Sequence, residues 1–342
     1  MGARGHRYDR PMSFFAVLFA LLIEQLKPLS TRNPIHHSLT RWVLWTGRNF
    51  DAGAPAHSRV VWAITVLGPA VALGLVYVLL NRYSTVLALV WDVVVLYTTL
   101  GFRQFSHHFT HIRDALDNGR EDRARELLAE WRHVDASELP RAELLRHVIE
   151  HSLLAAHRHV FGVFFWFVVL STLGLGPMGA VLYRMAEFTS RYWAYKSHIT
   201  GAPTHDGLMN LSQKLFSWLD HVPARMTAFG FAVVGNFEDA VEAWRRDAQL
   251  WASSNEGTIL AAASGAVGVR LGGKAPPAAS EALDVSRTLS SGDDPDTMAS
   301  AGSTSGAPAQ MAHLRSVVAL IWRSVVLWML LLALLSLANL IG

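Results

Sequence analysis

An all-α, polytopic integral membrane protein with four or five transmembrane helices and a small helical polar subdomain is the fold this sequence predicts. Three observations carry that reading. The chain is 51% hydrophobic and only 17% charged, and the apolar residues gather in blocks instead of being dispersed as core positions. Several blocks run for the length of a bilayer crossing almost without charge. Between them lies a segment, residues 102–159, that is rich in histidine and charge and places its apolar residues at helical spacing.

The apolar runs follow in order. Residues 13–23 are short for a crossing, so a tilted or interfacial helix competes with a span. Arg4, Arg7 and Arg10 precede this run as they would in a signal peptide, but Glu24-Gln25-Leu26-Lys27-Pro28 follows where a small-residue cleavage site would stand, so the segment is expected to be retained. Residues 60–80 contain no charge, and residues 84–100 contain only Asp92. Residues 160–183 form a third long uncharged run, and residues 316–341 a fourth, in which Arg323 lies near enough to one end to snorkel.

The polar segments divide the chain further. Phe105, Phe109, Ile112 and Leu116 recur at three and four residues, Asp117-Asn118-Gly119 halts the pattern, and Ala124, Leu127, Leu128 and Trp131 resume it. Two helices joined at Gly119 are expected. Leu139-Pro140 opens another, with Leu144, Leu145, Val148, Ile149 and Leu153 apolar. From Gly273 to Pro308 the chain is rich in Ser, Pro and Gly without periodicity and reads as a disordered linker. The expected organisation is 1–101 (membrane segments with a polar loop at 27–58), 102–159 (helical polar subdomain), 160–273 (membrane and pocket region), 274–314 (linker) and 315–342 (terminal transmembrane helix).

Composition excludes some chemistry outright. The chain has no cysteine, which removes disulfides, thiolate metal sites and thiol catalysis. Its net charge is +3, but the basic residues flank apolar runs and form no nucleic-acid stripe, so the phospholipid bilayer is the expected partner and nucleic acid is not. No dinucleotide-binding or P-loop glycine motif occurs.

Candidate site residues fall in a few places. His107 and His111 are one helical turn apart with Asp114 three residues on, a weak metal signal that reads first as an interfacial or surface histidine cluster, with a phosphate or substrate contact and a transition metal as the alternatives. His157-Arg158-His159 precedes the third long run, where Arg158 can anchor a helix end in headgroups or meet an anionic ligand. Arg184, Glu187 and Arg191 share a helical face and can pair among themselves. Asp220 reads as the cap of a helix beginning near Val222 and Pro223, which would set Arg225 in a first turn, where a cation needs an anionic partner. Ser253, Ser254 or Asn255 can cap a following Ala- and Gly-rich helix whose first turn can receive an anion. Ala261, Gly265, Gly268 and Gly272 would give that helix a small packing surface, inside the chain or in a homodimer.

Some of these residues also carry a resemblance. Ser254-Asn255-Glu256-Gly257 through Leu271-Gly272-Gly273 is similar to the Asn-x-Gly, alanine-rich and Leu-Gly-Gly signature of the CobD/CbiB cobalamin-biosynthesis superfamily, which also includes the AmpE inner-membrane proteins. Pro223-Ala224-Arg225, Gly176-Pro177-Met178-Gly179-Ala180 with Tyr183-Arg184, Arg103, His107 and Glu150 resemble the same pattern. Leu219-Asp220, Val222-Pro223 and Arg225, with Val234-Gly235, Ala243-Trp244 and Phe164-Phe165-Trp166, resemble the AmpE branch.

The resemblance implies a multi-pass protein of the bacterial inner membrane. For the cobalamin branch it implies an enzyme that joins adenosylcobyric acid to aminopropanol or its phosphate, using ATP and Mg2+. On that reading Glu150 and Glu187 are the catalytic candidates, assisting metal or amine deprotonation. Arg184, Asp220, Arg225, Asn255 and Glu256 would bind a corrinoid or phosphorylated small molecule.

The chain also departs from the pattern. Residues 155–159 stand where the family has Glu-Asn-x-x-Asp, Arg132-His133 where it has Arg-Asp, Phe216-Ser217 where it has Asp-Asp, and Asp220 where it has Asn. Magnesium-phosphate chemistry needs several carboxylates, and histidine is a poor substitute. Two functions therefore stand side by side: corrinoid amidation, and a non-enzymatic AmpE-like sensor or regulator.

Overall fold

The computed structural model describes residues 9–27, 34–50, 55–100, 102–132, 136–137, 139–199, 206–273 and 303–341. They form helices: α1 (Asp9–Leu26), α2 (Pro34–Phe50), α3 (Pro55–Tyr83), α4 (Thr85–Thr99), α5 (Phe102–Asp117), α6 (Glu121–Arg132), α7 (Arg141–Ala156), α8 (Gly162–Thr172), α9 (Met178–Ile199), α10 (Asp206–Val234), α11 (Phe237–Asp247), α12 (Ser254–Val267) and α13 (Met311–Ile341). Extended pairing among the described residues is limited to two isolated bridges, Val269 with Ala307 and Gly272 with Ser303. The protein is all-α. The stretches His57–Tyr83, Arg141–Thr172 and Met311–Ala338 are each long and apolar enough to cross a membrane, while Ser13–Leu26 and Thr85–Thr99 are shorter apolar helices.

The chain divides into two compact units, residues 1–103, 158–219 and 329–342 in the first and 104–157 and 220–328 in the second. In the first, α3 packs on α2, α4 and α9, and α1 lies against α4 and α8. Val43, Val61, Val66, Ala70, Val95, Met185 and Trp193 are buried at the centre of this bundle. Glycines let two helices approach closely: a Cβ on Gly162 would overlap the Tyr183 ring, and one on Gly179 would overlap the Trp166 carbonyl, which fixes α8 against α9.

Among the described residues, Pro69 and Pro223 each lie well inside a helix and leave a carbonyl without its usual partner, and in both cases a tryptophan supplies one. Pro69 lacks the N–H that would reach the Thr65 carbonyl, and Trp42 Nε1 donates to that oxygen at 3.2 Å. Pro223 likewise leaves the Leu219 carbonyl, which accepts from Trp166 Nε1 at 3.1 Å. The helix therefore continues through Pro223. This corrects the expectation of a helix starting there: Asp220 is not its cap, and Arg225 lies within the body of α10.

The long run at 160–183 is also read differently by the structure. It is cut by a turn at residues 173–177, where Gly174 and Gly176 adopt positive φ of 76° and 54° and Pro177 follows. The apolar helix extends instead toward the N-terminus, from α7 through a π-helical turn at His157–Phe161 into α8.

In the second unit, α5 and α6 meet at Gly119, whose φ of 71° makes the expected break. α12 packs on α11 and α7, and Gly265 meets the Asp239 carbonyl so closely that a Cβ there would overlap it. Gly268 and Gly272 are not a helix-packing step. Gly268 is the left-handed C-cap of α12 with φ 75°, and Gly272 lies beyond it with φ 83°. The expected linker is corrected at its C-terminal end. Thr304 donates its backbone N–H to the Leu271 carbonyl at 2.8 Å and takes the Ser264 hydroxyl through its side chain, so this part of the segment is ordered. Residues 274–302 lie outside the described residues.

Candidate functional site

The second unit brings Asp220, Arg225 and Asn255 together around residues that sequence reasoning missed. Asp220 Oδ1 lies 2.8 Å from His157 Nε2, and His157 Nδ1 lies 2.8 Å from Thr227 Oγ1. All three side chains are buried. The tautomer that satisfies the trio has Nε2–H donating to the carboxylate and the Thr227 hydroxyl donating to Nδ1. Asp220 and Thr227 are seven residues apart on α10, two helical turns along one face, so both can reach one imidazole. That spacing was the available signal. His157 had been read only as part of a basic cluster before a membrane span.

Arg225 extends from the next turn of α10. Its NH1 donates to the His221 carbonyl at 2.8 Å and to Asn255 Oδ1 at 3.3 Å, and Asp220 is close enough to act on it electrostatically. Asn255 occupies the first turn of α12, where Ser253 caps the helix by accepting from the Glu256 N–H at 3.5 Å. Ser253 and Glu256 have the spacing of a capping box, and the Glu256 carboxylate suits the positive end of the helix dipole. A guanidinium beside a helix N-terminus forms an arrangement that accepts anionic oxygen.

Glu150 belongs to a different cluster of the same unit. Its Oε1 accepts from Arg146 NH1 at 2.8 Å and from the Gly272 N–H at 2.6 Å, while His147 approaches Oε2 at 3.6 Å. Arg146 also binds Glu143 at 2.6 Å. With a side chain only 1% exposed, Glu150 anchors the Leu271-Gly272-Gly273 turn to α7.

Arg184 and Glu187 lie in the first unit, on α9. Glu187 is fully buried and holds both neighbouring arginines, Arg184 NH1 at 2.6 Å and Arg191 Nε at 2.6 Å. Both pairings that the helical spacing allows are present. Of the histidine cluster, Asp114 pairs with Arg113 at 2.8 Å, and the side chain of His107 lies outside the described residues.

Magnesium favours several oxygen ligands in near-octahedral array. Among the described residues, Glu150 is taken by Arg146 and Gly272, Glu187 by two arginines, and Asp220 by His157. No group of three or more His, Asp or Glu among them is arranged to hold a metal ion. These donors do not fit magnesium.

Residues 14–287 match the family model described as CobD/Cbib protein. The chain belongs to the CobD/CbiB family. It is 35% identical over 189 residues to the cobalamin biosynthesis protein CobD of Chromobacterium violaceum, a region covering 55% of this chain and 57% of that relative. The alignment thus spans little more than half of that relative's length. To the protein of the same name from Stutzerimonas stutzeri it is 29% identical over 274 residues, 77% of this chain and 83% of the relative. A shorter match, 39% over 87 residues, links it to the CobD of Mycobacterium tuberculosis, covering 24% of this chain and 27% of that protein. No solved structure matches the chain.

Proposed function

We propose that this protein works in cobalamin biosynthesis in the bacterial inner membrane, forming the amide between a corrinoid carboxyl group and aminopropanol or its phosphate. Membership of the CobD/CbiB family supports the pathway, and the membrane-crossing helices support the location. The observation that carries the site is the meeting of Arg225 with Asn255 at the first turn of α12. Arg225 and the first-turn N–H groups of α12 hold an anionic oxygen of the substrate, Asn255 orients the guanidinium, and Asp220, fixed by His157, balances its charge. Glu150 and Glu187 serve as structural anchors in this reading. Because the described donors do not fit magnesium, no step is assigned to a magnesium nucleotide.

The test is expression of the chain in a strain lacking its cobinamide-phosphate synthase, with corrinoids identified by mass spectrometry. Appearance of the amidated corrinoid, lost in Arg225→Gln, is expected. Accumulation of adenosylcobyric acid alone, with the protein present in the membrane, overturns the proposal. The engagement of Glu150, Glu187 and Asp220 by cationic or histidine partners favours a second reading, a non-enzymatic AmpE-like regulator. For that reading, an unchanged β-lactam response in a deletion strain would be decisive against it.

A further inference from the structure

α10 carries four charged residues, Asp206, Lys214, Asp220 and Arg225, with none in its last nine positions, and it is absent from the helices whose composition suits a membrane crossing. Its surface is nevertheless divided sharply. Asp220, Ala224, Thr227, Ala228 and Phe231 are buried. On the opposite side Val222, Met226, Phe229 and Val233 are 49%, 40%, 50% and 44% exposed. Spacings of four, three and four residues align these four side chains in one stripe.

The neighbour of this helix identifies what covers the stripe. Gly230 faces Trp328 of α13, and a Cβ at Gly230 would stand 3.5 Å from the Trp328 indole nitrogen. Trp328 sits at the middle of the apolar run that makes α13 a membrane-crossing helix. With α13 crossing a bilayer, Trp328 would stand near its middle and Gly230 beside it. At a rise of about 1.5 Å per residue, Met226, Phe229 and Val233 lie within roughly 6 Å of Gly230 along the helix axis, a distance well short of a hydrocarbon half-thickness of about 15 Å. Four large apolar side chains left in water beside a membrane-crossing helix would forfeit the burial that the adjacent bilayer provides.

We infer that α10 is a further membrane-embedded helix, with Val222, Met226, Phe229 and Val233 in contact with phospholipid acyl chains. Hydropathy misses it because its polar residues share the same short stretch of sequence while occupying other faces. Arg225, about 7.5 Å along the axis from Gly230 on the same scale, would reach toward the headgroups by its length. The anion-binding arrangement is thereby served from the membrane boundary. This last consequence rests on the proposed function; the lipid contact does not.

The cysteine-free sequence allows direct measurement. Lys214→Cys, Val222→Cys, Met226→Cys, Phe229→Cys and Val233→Cys, each introduced singly, are spin-labelled in the full chain in phosphatidylcholine nanodiscs, and collision with oxygen is compared with collision with a water-soluble nickel chelate. Oxygen should exceed the nickel chelate several-fold at 226, 229 and 233, with the order reversed at 214. Higher nickel collision at 226 and 229 shows a water-facing stripe and overturns the inference. Low collision with both shows a protein cover, such as a second copy, and overturns it equally. The unsubstituted chain gives an independent check: a phospholipid with a photoreactive group in its acyl chain should label the peptide containing residues 222–233, and failure to label it while α13 is labelled also refutes the contact. Neither readout depends on catalytic activity.

Discussion

Glu150 Oε1 accepts a 2.6 Å hydrogen bond from the backbone N–H of Gly272, 122 residues away in the chain. The same oxygen accepts from Arg146, so one buried carboxylate ties α7 to the turn that follows α12. Glu150→Ala leaves the Arg146 guanidinium buried without this partner and the Gly272 N–H without its acceptor. Loss of about 3–5 kcal/mol is expected. Glu150→Gln keeps an acceptor for Gly272 and should lose less. Thermal unfolding in detergent ranks the two variants; equal stability of both with the parent protein would rule out the anchoring role.

The His157 imidazole is held at both nitrogens, by Asp220 and by Thr227. Thr227→Val keeps the shape but removes the hydroxyl donor, leaving buried Nδ1 unsatisfied at a cost of about 1–3 kcal/mol. Thr227→Ser restores the donor and should recover most of it. The comparison isolates the hydrogen bond from packing, and unfolding midpoints of the three proteins provide the readout. A valine variant as stable as the serine variant would sink the assignment.

Much of the helical framework was legible because it rests on local rules. The α5–α6 junction follows from the three-and-four spacing around Asn118-Gly119, and the start of α12 from Ser253 with Glu256. The turn at 173–177 was not legible by hydropathy, since Leu173, Leu175 and the glycines interrupt no apolar run; backbone conformation at Gly174 and Gly176 makes it. Arg225 and Asn255 were grouped by the resemblance, and the structure adds the direct hydrogen bond between them. The pairing of His157 with Asp220 and Thr227 was not legible because those partners lie 63 and 70 residues away. The arginines on Glu187 were legible from their three- and four-residue spacing, whereas the Arg146 and Gly272 partners of Glu150 were not read from the sequence.

Arg225 donates to Asn255 across 30 residues, and on the proposed function it also meets the substrate anion. Arg225→Gln should weaken binding of an anionic corrinoid at least about tenfold, equivalent to roughly 1.4 kcal/mol. Arg225→Lys keeps the charge but not the planar fork, and should fall between. Titration of adenosylcobyric acid into the protein in nanodiscs measures all three affinities. Indistinguishable affinities would remove Arg225 from the site.

The pairing of Trp166 with the Leu219 carbonyl yields a double-mutant test of how α10 passes through Pro223. Trp166→Phe removes the indole donor, so the carbonyl that proline cannot serve loses its partner, at a cost of about 1–3 kcal/mol. Pro223→Ala restores an N–H at the position that would normally reach Leu219. In that background the carbonyl has a helical partner, and Trp166→Phe should cost less. The two substitutions are expected to couple by about 0.5 kcal/mol or more. Trp42→Phe with Pro69→Ala should repeat the pattern at Thr65, where the geometry is the same. Strict additivity at both sites, measured by unfolding of the single and double variants, would mean that the helices accommodate their prolines without the tryptophans.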